Sequence, residues 1–110
     1  MKAYTDIKQS KTLAEILPIE SADLWWNESK NYPEFIKTYH EYLSVSIPPI
    51  PCWSLAALIE ALPKIYLLKP ILDLEENSIL YSGTDLDVRA DNIIDACVEM
   101  LIKLHELKML

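Results

Sequence analysis

Residues 91–110, DNIIDACVEMLIKLHELKML, constrain this chain more than any other stretch. At about 100° per residue, Asn92, Asp95, Glu99, Lys103 and Glu106 fall in one polar sector about 80° wide, while Ile93, Ile94, Ala96, Cys97, Val98, Met100, Leu101, Leu104 and Leu107 sweep roughly 200° of the rest. A helix lying on one flat sheet needs an apolar stripe little wider than about 100°. This one therefore calls for a second neighbour, either another helix or a partner subunit. Leu101, Ile94 and Val98, on the far side of the arc, are the residues whose exposure would signal a homodimer.

A nearly uncharged stretch, residues 52–62, supplies a candidate neighbour. Leu55, Leu58, Ile59 and Leu62 follow helical spacing, the alanines favour helix, and Pro63 closes it. With Glu60 as its one charge, such a helix is expected in or near the interior. Three short runs follow, Ile71-Leu72-Asp73-Leu74, Ser78-Ile79-Leu80-Tyr81 and Leu86-Asp87-Val88-Arg89. The turn chemistry of Glu75-Glu76-Asn77 and Ser82-Gly83-Thr84-Asp85 divides them and predicts an antiparallel meander. Leu86 and Val88 share a face that the last helix should cover, and Asp87 and Arg89 share the solvated one. Asn92, with Asp95 three residues on, reads as an acidic capping box.

Toward the N-terminus, Thr5 and Asp6 can cap a helix with Ile7, Leu13, Ala14, Ile16 and Leu17 on its apolar face. Residues 21–26 read as a strand that would send one of Trp25 and Trp26 inward and leave the other partly exposed. After Pro33, Phe35, Ile36, Tyr39 and Leu43 suit a helical turn, and Pro48, Pro49 and Pro51 an extended segment largely free of hydrogen bonds. The expectation is a single two-layer α+β domain spanning residues 1–110: an antiparallel β-meander packed against a long C-terminal helix and a second apolar helix.

Charge and composition exclude several functions. Seventeen acids against ten bases give −7, a balance that repels a phosphate backbone, so no direct nucleic-acid binding is expected. Eight of the acids (Asp73, Glu75, Glu76, Asp85, Asp87, Asp91, Asp95 and Glu99) stand between residues 71 and 99 with Arg89 as the one base. One glycine, Gly83, cannot build a glycine-rich phosphate loop. The longest apolar run, residues 55–59, is far short of the ~20 residues that span a bilayer, so no membrane partner is expected. The opening residues lack a signal-peptide core, and the two cysteines suit buried thiols in a reducing compartment; a cytoplasmic protein is expected.

Sites of chemistry are scarce. Asp85, Asp87 and Asp91 fail the calcium-loop pattern because Ala90 stands where the glycine should and Ala96 where the bidentate glutamate should. His40-Glu41 and His105-Glu106 lack the second histidine of a zinc motif, and Cys97 and His105 lie about 12 Å apart along a helix. Cys52 could be activated only by the helix that follows it. No metal, no cofactor and no catalytic residue is expected, and the chain reads as a non-enzyme. Seven of the ten aromatic residues (Trp25, Trp26, Tyr32, Phe35, Tyr39, Tyr42 and Trp53) lie between positions 25 and 53. Of these, Trp25, Trp26, Tyr32, Tyr39, Tyr42 and Trp53 are the candidate binding residues, since aromatics on loops over a scaffold often anchor interfaces; the alternative is a minor core beneath the proline-rich connection.

The stretches Pro51-Cys52-Trp53-Ser54-Leu55-Ala56-Ala57-Leu58, Pro70-Ile71-Leu72-Asp73-Leu74 and Asp91-Asn92-Ile93-Ile94-Asp95-Ala96-Cys97-Val98-Glu99-Met100 resemble a group of short uncharacterised proteins encoded by gut bacteria and their phages or mobile elements. The resemblance spans nearly the whole chain, with residues 27–50 its variable part. It implies a small cytoplasmic accessory protein and supplies no activity, cofactor or catalytic residue. The expected function is a non-enzymatic protein-interaction or regulatory protein, acting on a protein partner or on itself as a homodimer. The alternatives are an acidic decoy that mimics DNA, which needs carboxylates arrayed on one face, and a small enzyme or ligand-binding protein, which needs a pocket with convergent polar groups.

Overall fold

Asp6 opens the first helix by accepting the Gln9 amide at 2.8 Å on its carboxylate while the Gln9 side chain accepts the Asp6 amide at 3.1 Å, a reciprocal capping box. The computed structural model describes residues 2–26, 32–35, 50–64 and 69–110. In chain order these form helix α1 (Ile7–Ala14), a 3-10 turn (Ile19–Ser21), strands β1 (Leu24–Trp26), β2 (Pro33–Phe35) and β3 (Ile50–Cys52), helix α2 (Leu55–Ala61), strands β4 (Pro70–Asp73), β5 (Ser78–Tyr81) and β6 (Asp87–Arg89), and helix α3 (Ile93–Glu106). The fold is α+β, with helix packed on sheet.

The expected meander forms in the order β4-β5-β6, antiparallel throughout, with Leu72, Ile79 and Val88 aligned across it. Its first turn is closed by Asp73, whose carboxylate accepts the Glu75 and Glu76 amides at 3.0 and 3.1 Å. Asn77 completes that turn at φ 51°, a left-handed conformation that asparagine tolerates. Gly83 serves the second turn at φ 79°. Helix α3 lies across β5 and β6, capped by the Asn92 side chain accepting the Asp95 amide at 2.9 Å. The wide apolar arc is covered within the chain, because α2 packs along α3 and α1 also touches it. Ile94, Val98 and Leu101 are all buried, so the arc creates no demand for a second subunit.

A second three-stranded sheet, order β2-β1-β3, departs from the expected single meander. Pro33 to Phe35 is a strand rather than the start of a helical turn, with Trp25 paired to Glu34. The proline-rich segment is not free of pairing either, because Ile50, Pro51 and Cys52 align with Trp26, Trp25 and Leu24. Both proline-bearing strands lie at sheet edges, where a missing donor can face away from the ladder. The residues on which the helical turn otherwise rested, Ile36, Tyr39 and Leu43, lie outside the described residues.

The helices also differ in detail from their apolar patterns. Ser10 and Leu13 define the buried side of α1, which places Ile7 and Ala14 about 80° round the helix, in solvent. Helix α2 buries Ala57 and Leu58, with Leu62 just beyond, while Ala56, Ile59 and Glu60 face solvent, so it is a half-covered helix rather than an interior one. One core cluster runs through the molecule, joining Leu13, Trp53 and Leu58 to Ile79, Tyr81, Val88, Met100 and Leu104.

Candidate interaction surfaces

Only some of the candidate aromatics reach a surface. Trp53 is fully buried, with its indole N–H donating to Ser21 Oγ at 3.0 Å, and is a core residue rather than an exposed anchor. Trp25 and Trp26 are both half-buried, where one inward and one outward indole was expected. The side of the sheet bearing Trp26 is covered by the N-terminal segment: its indole donates to the Thr5 carbonyl at 3.2 Å, and Tyr4 meets it edge to face at 5.6 Å between ring centres. Trp25 stands on the opposite side, between Glu34 and Pro51 on the flanking strands. Tyr32 is 56% exposed, and Tyr39 and Tyr42 lie outside the described residues.

Beneath this sheet is a polar cluster that the sequence pattern did not reveal. The Thr5 and Ser10 hydroxyls lie 2.7 Å apart, Thr5 Oγ1 accepts the Trp53 amide at 3.1 Å, and the Cys52 thiol donates to the Thr5 carbonyl at 3.4 Å. Asp23 receives both the amide and the hydroxyl of Ser54, so the α2 cap is itself held by a carboxylate from the residue just before β1. The groups satisfy one another and leave no orphan to recruit a ligand. Burial raises the Cys52 thiol above its ordinary value, the reverse of activation by a helix N-terminus, and burial pushes Cys97 up to about 11. Tyr81, buried and near Cys97, is pushed up to about 12 and donates its hydroxyl to the Pro63 carbonyl at 2.9 Å.

Asp95 has a larger role than capping. Lys2 Nζ and Gln9 Nε2 both donate to its Oδ1, at 2.8 and 2.7 Å, and Asn92 Nδ2 donates to Oδ2 at 2.9 Å. Burial opposes both charges of the Lys2–Asp95 pair. The hydrogen bonds and mutual attraction outweigh it, lowering the Asp95 carboxyl and raising the Lys2 ammonium relative to their ordinary values. The start of the chain is thereby clamped to the start of α3.

Among the described residues, the β4-β5-β6 sheet carries an open apolar surface. Ile71, 51% exposed, sits beside half-buried Leu80 on the face away from α3, and Leu74 at the end of β4 is 61% exposed. Exposed acids surround them: Asp73 and Asp87 on the same face, Glu75 and Glu76 in one turn, Asp85 in the other. Round the β6 edge, an open groove of about 460 Å³ separates Asp87, Val88 and Arg89 from Glu99, Ile102 and Lys103 on α3. Serine, cysteine, threonine and histidine are missing from its lining, so it offers no hydroxyl or thiol nucleophile and no imidazole base. Among the described residues no three histidine, cysteine or acidic side chains are placed to hold a metal ion, and no helix is long and apolar enough to cross a membrane. Comparisons with protein-family models, with curated proteins and with solved structures find no match to this chain.

Proposed function

We propose that this chain is a non-enzymatic interaction protein that binds a basic protein surface through the outer face of β4, β5 and β6. The observation that carries the reading is the apolar strip Ile71–Leu80 in the middle of a sheet face bordered by Asp73, Glu75, Glu76, Asp85 and Asp87. Isolated exposed apolar residues need no explanation, but cross-strand neighbours at the centre of a face form the kind of core that partners desolvate. The surrounding carboxylates would steer a basic partner and repel nucleic acid. An accessory role in the cytoplasm, as the resemblance implies, is compatible with this reading.

The decoy reading is weaker. Asp95 is engaged by Lys2 and Gln9, one Asp73 oxygen is occupied by turn amides, and Glu76 lies 3.6 Å from Arg89. The remaining acids ring an apolar centre rather than tracing a row. The ligand-binding or enzyme reading would fall to the groove, whose polar groups are acidic and basic surface side chains on an open wall.

The test is capture of proteins at physiological salt by the intact chain and by Ile71→Lys, whose side chain lies on the solvated face. A partner bound by the native chain and weakened tenfold or more by the substitution is the expected result. Identical partner sets for both proteins would remove the outer face from consideration.

A further inference from the structure

Among the described residues the two sheets have four edges, and these are not equivalent. Strands β2, β3 and β4, which form three of them, each contain a proline: Pro33, Pro51 and Pro70. Proline on an edge removes a donor and blocks strand addition. The fourth edge, β6, has none.

The hydrogen-bond alternation shows what β6 presents. The Tyr81 amide donates to the Leu86 carbonyl at 2.9 Å and the Ala90 amide to the Asn77 carbonyl at 3.1 Å. In the same register Val88 faces Ile79 as the bonded pair between them, which leaves Ser78–Arg89 and Leu80–Asp87 as the non-bonded pairs. The N–H and C=O groups of Asp87 and Arg89 therefore point outward, away from β5, into the mouth of the groove. On β4 the same reasoning, anchored by the Ser82 amide bonded to the Lys69 carbonyl at 3.2 Å, turns Pro70 and Leu72 outward, so that edge offers a single amide.

We propose that β6 is a self-association edge, pairing antiparallel with β6 of a second copy about a two-fold axis at Val88. In that arrangement Asp87 lies directly opposite the partner's Arg89, and Arg89 opposite the partner's Asp87. These are the residues whose backbone groups face outward, so each opposed pair exchanges two backbone hydrogen bonds. Their side chains share one face of the sheet, which makes each pair an oppositely charged cross-strand pair. Charged residues on an edge ordinarily discourage pairing, but an acid and a base placed symmetrically about the central residue make this edge complementary to itself, as an isologous interface requires. On the other face, Val88 meets its symmetry mate beside half-buried Ile102, filling the apolar floor of the groove. The product is a continuous six-stranded sheet that presents two copies of the Ile71–Leu80 strip on one face, separated by the paired β6 strands. The inference does not depend on the basic partner proposed above, and the purified chain alone tests it.

Sedimentation equilibrium over a wide concentration range should show reversible association to twice the 12.7 kDa chain mass. Asp87→Arg and Arg89→Asp, which place like charges opposite each other, should each weaken self-association about tenfold or more. Mixing these two variants should restore a dimer, now a heterodimer, and the double variant carrying both changes should again dimerise with itself. Circular dichroism establishes that each variant is folded, and the restored mixture excludes misfolding as the cause of the single-variant loss. A native chain that stays monomeric at every concentration overturns the proposal. So does a dimer whose affinity is unchanged by either single substitution, because it would be built on another face.

Discussion

The two sheets are the same size, each of three antiparallel strands, yet they are held by different means. The β2-β1-β3 sheet joins segments from positions 24 to 52 and is fastened to the N-terminal segment by hydrogen bonds. The Thr5 amide donates to Trp53, the Trp53 amide to the Thr5 hydroxyl and Trp26 to the Thr5 carbonyl, while Ser54 donates to Asp23 between the ends of β3 and β1. The β4-β5-β6 sheet joins consecutive strands through turns of four and five residues and is covered by α3, whose buried Met100, Leu101 and Leu104 belong to the same cluster as Ile79 and Val88. The first depends on buried polar bonds, in which each missing partner leaves another group unsatisfied. The second depends on burial of apolar area, which is non-directional and tolerates small displacements. Similar strand geometry can thus arise from a few specific bonds or from a covering helix, and the two should fail differently.

Trp53→Ala should have the largest effect. The side chain is fully buried at the junction of the first sheet with the common core, and its removal should cost about 3–5 kcal/mol. That is a large share of the ~5–15 kcal/mol stability of an ordinary domain. Urea unfolding followed by circular dichroism should show a lower midpoint and still a single transition, because Trp53, Leu58, Ile79 and Val88 are members of one cluster. Two separated transitions would show instead that the sheets unfold as independent units.

A matched pair of threonine substitutions sharpens the contrast. Thr5→Val keeps the shape but leaves the buried Trp53 amide without its acceptor and deprives Ser10 of its partner, a loss of about 1–3 kcal/mol. Thr84 also both donates and accepts in the second sheet, to the Tyr81 carbonyl at 2.8 Å and from the Leu86 amide at 3.1 Å, but from an exposed turn. Water can replace it there, and Thr84→Val should cost about 0.5–1 kcal/mol. Equal losses in urea midpoint for the two variants would break the distinction drawn between the sheets.

The second sheet, its turns and α3 were legible in the sequence because their determinants are local. Gly83 and Asn77 mark the turns, Leu86 and Val88 alternate with Asp87 and Arg89, and Asn92 starts a helix whose period is sustained to Glu106. Of the first sheet only β1 was, as the strand expected over residues 21–26; its edge strands β2 and β3 were not, because strands of three residues carry too little periodicity to be told from loop, and prolines that argue against a central strand are compatible with an edge. The candidate site divided along the same line. Trp53 reads equally as anchor or core from its type alone, and only its distant partner Ser21 places it inside. Asp95 was visible as a first-turn acid, but nothing local indicates that Lys2, 93 residues away, will reach it. The self-complementarity of β6 was present as Asp87-Val88-Arg89, yet it acquires meaning only once the strand is known to be an edge and its outward amides are identified.

The smallest effect should come from Lys2→Met, which breaks the Lys2–Asp95 ion pair between the N-terminal segment and α3 while keeping an aliphatic stem. Its side chains are 27% and 28% exposed, so the loss should be modest, about 0.5–1 kcal/mol at neutral pH. The pH dependence identifies it more securely than the magnitude. Asp95 is lowered below 3.8 in the folded chain, so its contribution is present above that ordinary value and is lost as pH falls through the depressed folded value. Lys2 is raised above 10.5, so its contribution is present below that value and is lost as pH rises through the elevated folded one. The stability difference between the native chain and Lys2→Met should therefore be a plateau from about pH 4 to pH 10 that declines on both sides. A difference that instead changes steadily across neutral pH would mean that the substitution acts through the net charge of the chain rather than through this clamp.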